Sequence, residues 1–133
     1  MSNTSIGVSP RLSAAPAWPR WTLRATSLVA AIMLFDQAVF AGQFLSGVYS
    51  MLHLHRENAT YAGISVLVAA GAATLGRWPG RGPWWPIAAY VGLFGLIAVQ
   101  IVVGFSAGLA VHIPLGVSII LVAAALAVWA WRH

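Results

Sequence analysis

Apolar residues dominate four long stretches of the chain, roughly residues 24–51, 58–76, 84–107 and 112–131. Each stretch is close to the about 20 residues that a helix needs to cross about 30 Å of hydrocarbon. Helices are expected because a spanning segment must satisfy its backbone hydrogen bonds internally. The pattern therefore predicts an all-α membrane protein whose four transmembrane helices form one domain over residues 21–133.

The third and fourth stretches lack a charged break, so their boundary has to come from another signal. No Asp, Glu, Lys or Arg lies between Trp84 and Trp131. Pro114 supplies the signal, because proline is tolerated in the first turn of a helix and not in its middle. The fourth helix is therefore predicted to start near His112. Before the first helix, the Ser- and Pro-rich residues 1–20 predict a flexible tail.

The composition excludes a water-soluble protein. The 133 residues are 60% hydrophobic and 7% charged, whereas a soluble domain carries about 25% charged residues. The net charge of +5 does not indicate nucleic-acid binding, because the arginines flank the apolar stretches. With no cysteine, disulfides, thiol chemistry and thiolate metal sites are excluded. The lipid bilayer is the expected surrounding.

The arginines and tryptophans predict one orientation. Six of the seven arginines lie before helix 1, between helices 2 and 3, or after helix 4, and Arg56 lies on the opposite side. The positive-inside rule then places both termini in the cytoplasm of a multi-pass protein in a bacterial-type plasma membrane. All seven tryptophans fall at the same boundary as the six arginines, as an aromatic belt would.

A polar pattern occurs twice. The stretch QFLSGVYSMLHLH and the stretch QIVVGFSAGLAVH both read Gln-x3-Gly-x7-His, with an offset of 57 residues. Helices 1–2 and helices 3–4 run in the same sense, so the bundle is predicted to consist of two parallel-repeat helical hairpins about a pseudo-twofold axis. Equivalent residues would face each other across that axis. His55 and His112 are one such pair.

The paired histidines suggest a cofactor. Ala59 and Gly116 each follow a histidine by four residues, on the same helix face, so a flat group could lie close to the backbone. Two facing imidazoles in a bundle core could bind a haem iron from both sides. Capping by interfacial histidines is the simpler alternative, and binding of another metal or a role in proton transfer is a third. The neighbouring walls of the predicted haem site would be formed by Gln43, Gln100, Gly47 and Gly104.

The chain also resembles a known family. HRENA at the top of helix 2, with QIVVG and VHIPLG in helices 3 and 4, is similar to one half of the haem A synthase family, or to small four-helix membrane proteins with the same His-capped repeat. The resemblance implies a single four-helix bundle that binds haem b through His55 and His112. Leu52 stands where the family has an acidic residue, and the long outer loop and loop cysteines are missing, so haem ligation is implied more strongly than haem oxidation.

Two acidic residues keep other functions open. Asp36 falls inside helix 1, and carboxylates within the bilayer are costly and often functional. It could serve an enzyme that uses haem or a quinone, with Glu57 as a second candidate. It could instead couple protons in a small transporter or channel, which would require a homodimer. A non-catalytic subunit of a respiratory complex is a further alternative. The leading prediction is a cytochrome b-like protein for electron transfer or haem handling.

Overall fold

The computed structural model describes residues 16–106 and 108–133. These residues form an all-α bundle of four helices, each long and apolar enough to cross a membrane. In chain order the helices are α1 (Trp18–Leu45), α2 (Met51–Arg77), α3 (Trp85–Ser106) and α4 (Leu109–Arg132).

Helix α3 matches its predicted bounds, whereas the other bounds need correction. Helix α1 includes Trp18–Arg20, which were predicted as tail, and it ends six residues early at Leu45. Helix α2 begins seven residues early, so the polar run around His55 is helical. Helix α4 begins at Leu109, which puts Pro114 inside the helix. Residues 1–15 of the predicted tail lie outside the described residues.

The helices form a square in which each packs against two neighbours. Helix α1 packs on α2 and α4, and α3 packs on the same two helices, so α1 lies diagonally opposite α3 and α2 lies opposite α4. Neighbours along the chain run antiparallel because their connections are short. The two hairpins therefore run in the same sense, as the repeat predicted. Residues of α2 and α4 meet only across the centre of the bundle.

The end of the bundle where α1 and α3 begin carries the tryptophans and is called the Trp end. There Arg24 Nε donates to the Ala130 carbonyl at 3.1 Å, and its guanidinium lies over the rings of Trp21 and Trp131 at 4.9 and 5.7 Å. A cation at a helix C-terminus satisfies carbonyls that have no intrahelical donor. Arg24 therefore links the start of α1 to the end of α4.

The other end, where α2 and α4 begin, carries His55 and His112 and is called the His end. Between the two ends, the half toward the Trp end has a closely packed core of mostly small and branched side chains, with Tyr90 the largest. The outer surface is strongly apolar, with Phe35 59% and Leu121 65% exposed. Such surfaces contact lipid in a protein of this composition.

Candidate functional site

A cavity of about 730 Å³ occupies the half of the bundle toward the His end. Its floor is a layer of one buried side chain from each helix: Leu34, Ala62, Ile97 and Ile119. The lining is mainly apolar, and the cavity is partly open to its surroundings. Cofactor pockets have volumes of about 300–1,000 Å³ and mostly apolar walls with a few polar groups. This cavity has those properties.

The two predicted histidines line the cavity from diagonally opposite helices. The ring centres of His55 and His112 lie 6.2 Å apart, and the ring planes are inclined at 65°. An imidazole nitrogen binds a metal ion at about 2.0 Å with its ring centre about 1.2 Å behind it, so rings on opposite sides of one ion have centres about 6.3 Å apart. The observed spacing suits a single ion between the rings.

A backbone hydrogen bond holds the His55 ring. His55 Nδ1 lies 3.1 Å from the carbonyl oxygen of Gln37 on α1. Because a carbonyl can only accept, Nδ1 is the protonated nitrogen, and Nε2 of the neutral ring keeps its lone pair. Metal-binding histidines commonly donate their second nitrogen to a carbonyl in this way, which fixes the tautomer and the ring orientation. Nε2 of His55 is therefore the nitrogen that could bind a metal ion.

The His112 ring lies against Gly104. A Cβ atom at position 104 would lie 2.9 Å from His112 Cε1 and 3.1 Å from Nδ1, distances shorter than van der Waals contact. Only glycine lets α3 come this close to the ring. Gly104 therefore lines the cavity, as predicted. It lies directly against the His112 ring, which was not predicted.

Gly116 does not leave the predicted space for a flat group beside His112. A Cβ there would lie 2.8 Å from Gln100 Nε2, so the space beside His112 is occupied by the Gln100 amide. That amide donates to the His112 carbonyl at 2.8 Å. Gln100 therefore crosses from α3 to α4 and holds the first turns of α4. Ala59, the equivalent of Gly116, also lines the cavity.

The cavity walls reveal the register of the repeat. On α2 and α4 the lining residues correspond at the predicted offset of 57: Leu52 with Leu109, His55 with His112, Arg56 with Ile113, Ala59 with Gly116, Thr60 with Val117. On α1 and α3 they correspond at an offset of 63: Leu34 with Ile97, Gln37 with Gln100, Ala38 with Ile101, Ala41 with Gly104. The two hairpins thus share one cavity pattern with different offsets on their two helices.

Because of this register, two residues that were predicted to form the cavity walls do not line the cavity. Gln43 is exposed and does not line the cavity, because Gln37 is the residue that corresponds to Gln100. Gly47 lies beyond the end of α1, in the turn to α2, where its φ of +98° favours glycine. The matching Gln-x3-Gly spacing therefore does not reflect equivalent positions in the fold.

The two acidic candidates lie outside the cavity. Asp36 is half-buried on α1 and is not among the residues that line the cavity. Glu57 is exposed, and its carboxylate lies 3.5 Å from His53 Nδ1. Neither side chain lines the space between the two histidines.

Three buried polar atoms of cavity-lining residues have no hydrogen-bond partner among the described residues: Gln37 Nε2, Gln100 Oε1 and His112 Nδ1. Buried polar groups in native proteins are nearly always satisfied, and exceptions require an explanation. Their common location is what a site for a ligand or ordered water would produce.

Sequence reasoning missed Gln37 and Arg56, both of which line the cavity. Gln37 was missed because Gln43 has the same spacing to its histidine as Gln100 and was matched with Gln100 instead. Arg56 was interpreted as a loop charge because α2 was predicted to start later. A signal for Arg56 was present, since it follows His55 directly and is the arginine that departs from the positive-inside rule.

Comparisons with protein-family models, with curated proteins and with solved structures find no match for this chain. The resemblance to haem A synthase rests on HRENA, QIVVG and VHIPLG alone and stays a hypothesis.

Proposed function

We propose that this chain is a membrane protein that binds one haem b between His55 and His112, for electron transfer or haem handling. The observation that carries the proposal is the pair of imidazole rings from diagonal helices, with centres 6.2 Å apart, in a cavity of about 730 Å³. The spacing suits axial ligation of one iron, and bundle cores are a common location for such cofactors.

The donor set favours a porphyrin over a free ion. Within the described residues, no group of three or more His, Cys, Asp or Glu side chains is placed to hold a metal. Protein zinc sites use three or four such ligands. Haem iron already has the four porphyrin nitrogens and needs only axial ligands from the protein. Two histidines are therefore enough for haem and too few for most other metal sites.

Each neighbouring residue has a part in holding the ligands. Gln37 accepts from His55 Nδ1 and leaves Nε2 free to bind the iron. Gly104 gives the His112 ring its space, and Gln100 holds the start of α4. A haem with both axial positions filled by imidazole supplies one-electron redox chemistry. Two histidines that both bound the iron would leave it no free position for a substrate, so the site would favour electron transfer or haem storage.

The proposal includes a location and an orientation. We place the protein in a bacterial-type plasma membrane with the Trp end at the cytoplasmic face, because arginines and tryptophans gather there. The haem site then lies toward the outer face. The protein could form a homodimer or join a respiratory complex, since its apolar outer faces could contact other helices as well as lipid.

Haem titration of the purified protein in detergent tests the proposal. We expect one haem per chain and a reduced-minus-oxidised spectrum with the sharp bands of a six-coordinate cytochrome. Replacement of His112 by glycine should abolish those bands, and added imidazole should restore them by filling the vacated axial position. Absence of a bound haem spectrum in the wild-type protein would refute the proposal.

The transporter alternative receives less support from the site. Asp36 would have to be its coupling acid, yet Asp36 does not line the cavity. A flux that depends on Asp36 and is indifferent to His112 would favour it.

A further inference from the structure

Arg56 gives the cavity one charged position. It follows His55 in α2 and lines the cavity near the His end, and its guanidinium lies 5.8 Å from the centre of the Phe105 ring, another lining residue. The remaining cavity walls are mainly apolar, and their polar side chains include Gln37, Thr60, Gln100 and the two histidines. An anionic group in the cavity would find its counter-charge at Arg56.

The protein itself does not neutralise Arg56. The sequence has two acidic residues, Asp36 and Glu57. Glu57 is turned toward His53 at 3.5 Å, and Asp36 does not line the cavity. Within the described part of the chain, neither carboxylate forms an ion pair with Arg56. Its charge is therefore available to a ligand.

Arg56 also breaks the symmetry of the cavity. Its equivalent on α4 is Ile113, and the floor residues are apolar on all four helices. A ligand in this cavity thus meets a charge at one edge only. An amphipathic molecule with an anionic edge and an apolar body would bind in one orientation.

From these three observations we infer that Arg56 binds the carboxylates of the ligand and sets its orientation. The inference rests on the proposed function: Arg56 would hold the propionates of a haem near the His end, and the floor formed by Leu34, Ala62, Ile97 and Ile119 would contact its apolar edge. A guanidinium presents paired N–H donors that match a carboxylate. The departure of Arg56 from the positive-inside rule then has a functional reason.

Titrations with haem and with haem dimethyl ester, in which both propionates are blocked, test the inference. Because Arg56 is exposed, the wild-type protein should bind haem about 2- to 5-fold more tightly than the ester at low ionic strength, with the preference falling as salt rises. Arg56→Gln should remove the preference by weakening haem alone. Arg56→Lys should keep part of it, because the charge remains and the paired donors are lost. Arg77→Gln, at the opposite end of the same helix, should leave it unchanged.

The outcomes separate the two proposals. Equal affinities of the wild-type protein for haem and ester, both with six-coordinate spectra, would overturn the role of Arg56 and leave the haem site standing. Binding of neither compound would overturn the haem site itself. If Arg56→Gln folds poorly, the comparison of haem with ester on the wild-type protein and on Arg56→Lys still decides the inference.

Discussion

His55 and His112 face each other across the bundle with ring centres 6.2 Å apart, although 57 residues separate them in the chain. The relationship follows from the repeat, because each histidine lies near the start of the second helix of its hairpin, and those helices lie diagonally opposite each other. The surroundings of the two rings differ. A carbonyl on α1 holds His55, whereas His112 packs against a glycine on α3.

Gly104→Ala should weaken haem binding. Its Cβ would lie 2.9 Å from His112 Cε1, so the ring or the helix must move. Overpacking of this kind costs about 1–3 kcal/mol, or about 5- to 150-fold in haem affinity. Titration of haem followed by absorbance measures the change. Gly95→Ala is the matched control on the same helix, because its Cβ would meet no atom within 4 Å. Equal affinities for the two variants would contradict the close packing of His112 on α3.

Gln100→Ala and Gln43→Ala distinguish the two registers of the repeat. Gln100 donates to the His112 carbonyl, whereas Gln43 is exposed outside the cavity. We expect Gln100→Ala to lower the free energy of unfolding by about 0.5–1.5 kcal/mol, and Gln43→Ala to change it by less than about 0.5 kcal/mol. Unfolding in a graded detergent mixture measures both variants. A larger effect of Gln43→Ala would restore the register in which Gln43 and Gln100 are equivalent.

Asp36→Asn should leave the haem spectrum and haem affinity unchanged. The side chain is half-buried on α1 and does not line the cavity, so it has no contact with the proposed ligand. The same variant tests the transporter alternative in liposomes with a pH gradient. Loss of proton flux in Asp36→Asn, together with full flux in His112→Ala, would support transport in place of haem binding.

Arg24→Gln should destabilise the bundle at the Trp end. The variant loses a charged hydrogen bond to the Ala130 carbonyl and contacts with two indole rings. The expected loss is about 1–3 kcal/mol of unfolding free energy. Arg20→Gln is the control, since it removes an equal charge from an exposed position at the same end. Equal stability of the two variants would show that Arg24 does not stabilise the bundle and that its charge serves only to orient the protein in the membrane.

The sequence predicted the four helices because each is a long apolar stretch, and it predicted that His55 and His112 meet because the offset of 57 holds on α2 and α4. It failed where polarity and secondary structure diverge. Helix 2 was predicted to begin at about residue 58 because the residues before it are polar, but α2 begins at Met51. A charged first turn at the end of a membrane helix costs little, so hydropathy cannot locate such a start.

The pairing of Gln37 with Gln100 could not be predicted from spacing alone. Residues 46–50 connect α1 to α2, whereas residues 107–108 connect α3 to α4, which accounts for three of the six residues by which the offsets differ; the other three come from helix ends at non-equivalent positions. Insertions in connections change the offset between repeats without changing the packed helices. The sequence alone therefore could not distinguish Gln43, which matches Gln100 by chance at the offset of 57, from Gln37, which is equivalent to Gln100 in the fold.

The spin state of haem bound to the wild-type protein and to His55→Ala and His112→Ala tests the central claim most directly. Electron paramagnetic resonance of the oxidised samples should give a low-spin signal for the wild-type protein, because both axial positions hold imidazole. Each variant should bind haem more weakly and give a high-spin signal. Haem that stays low-spin after either histidine is replaced, or a wild-type protein that binds no haem, would contradict ligation by this pair.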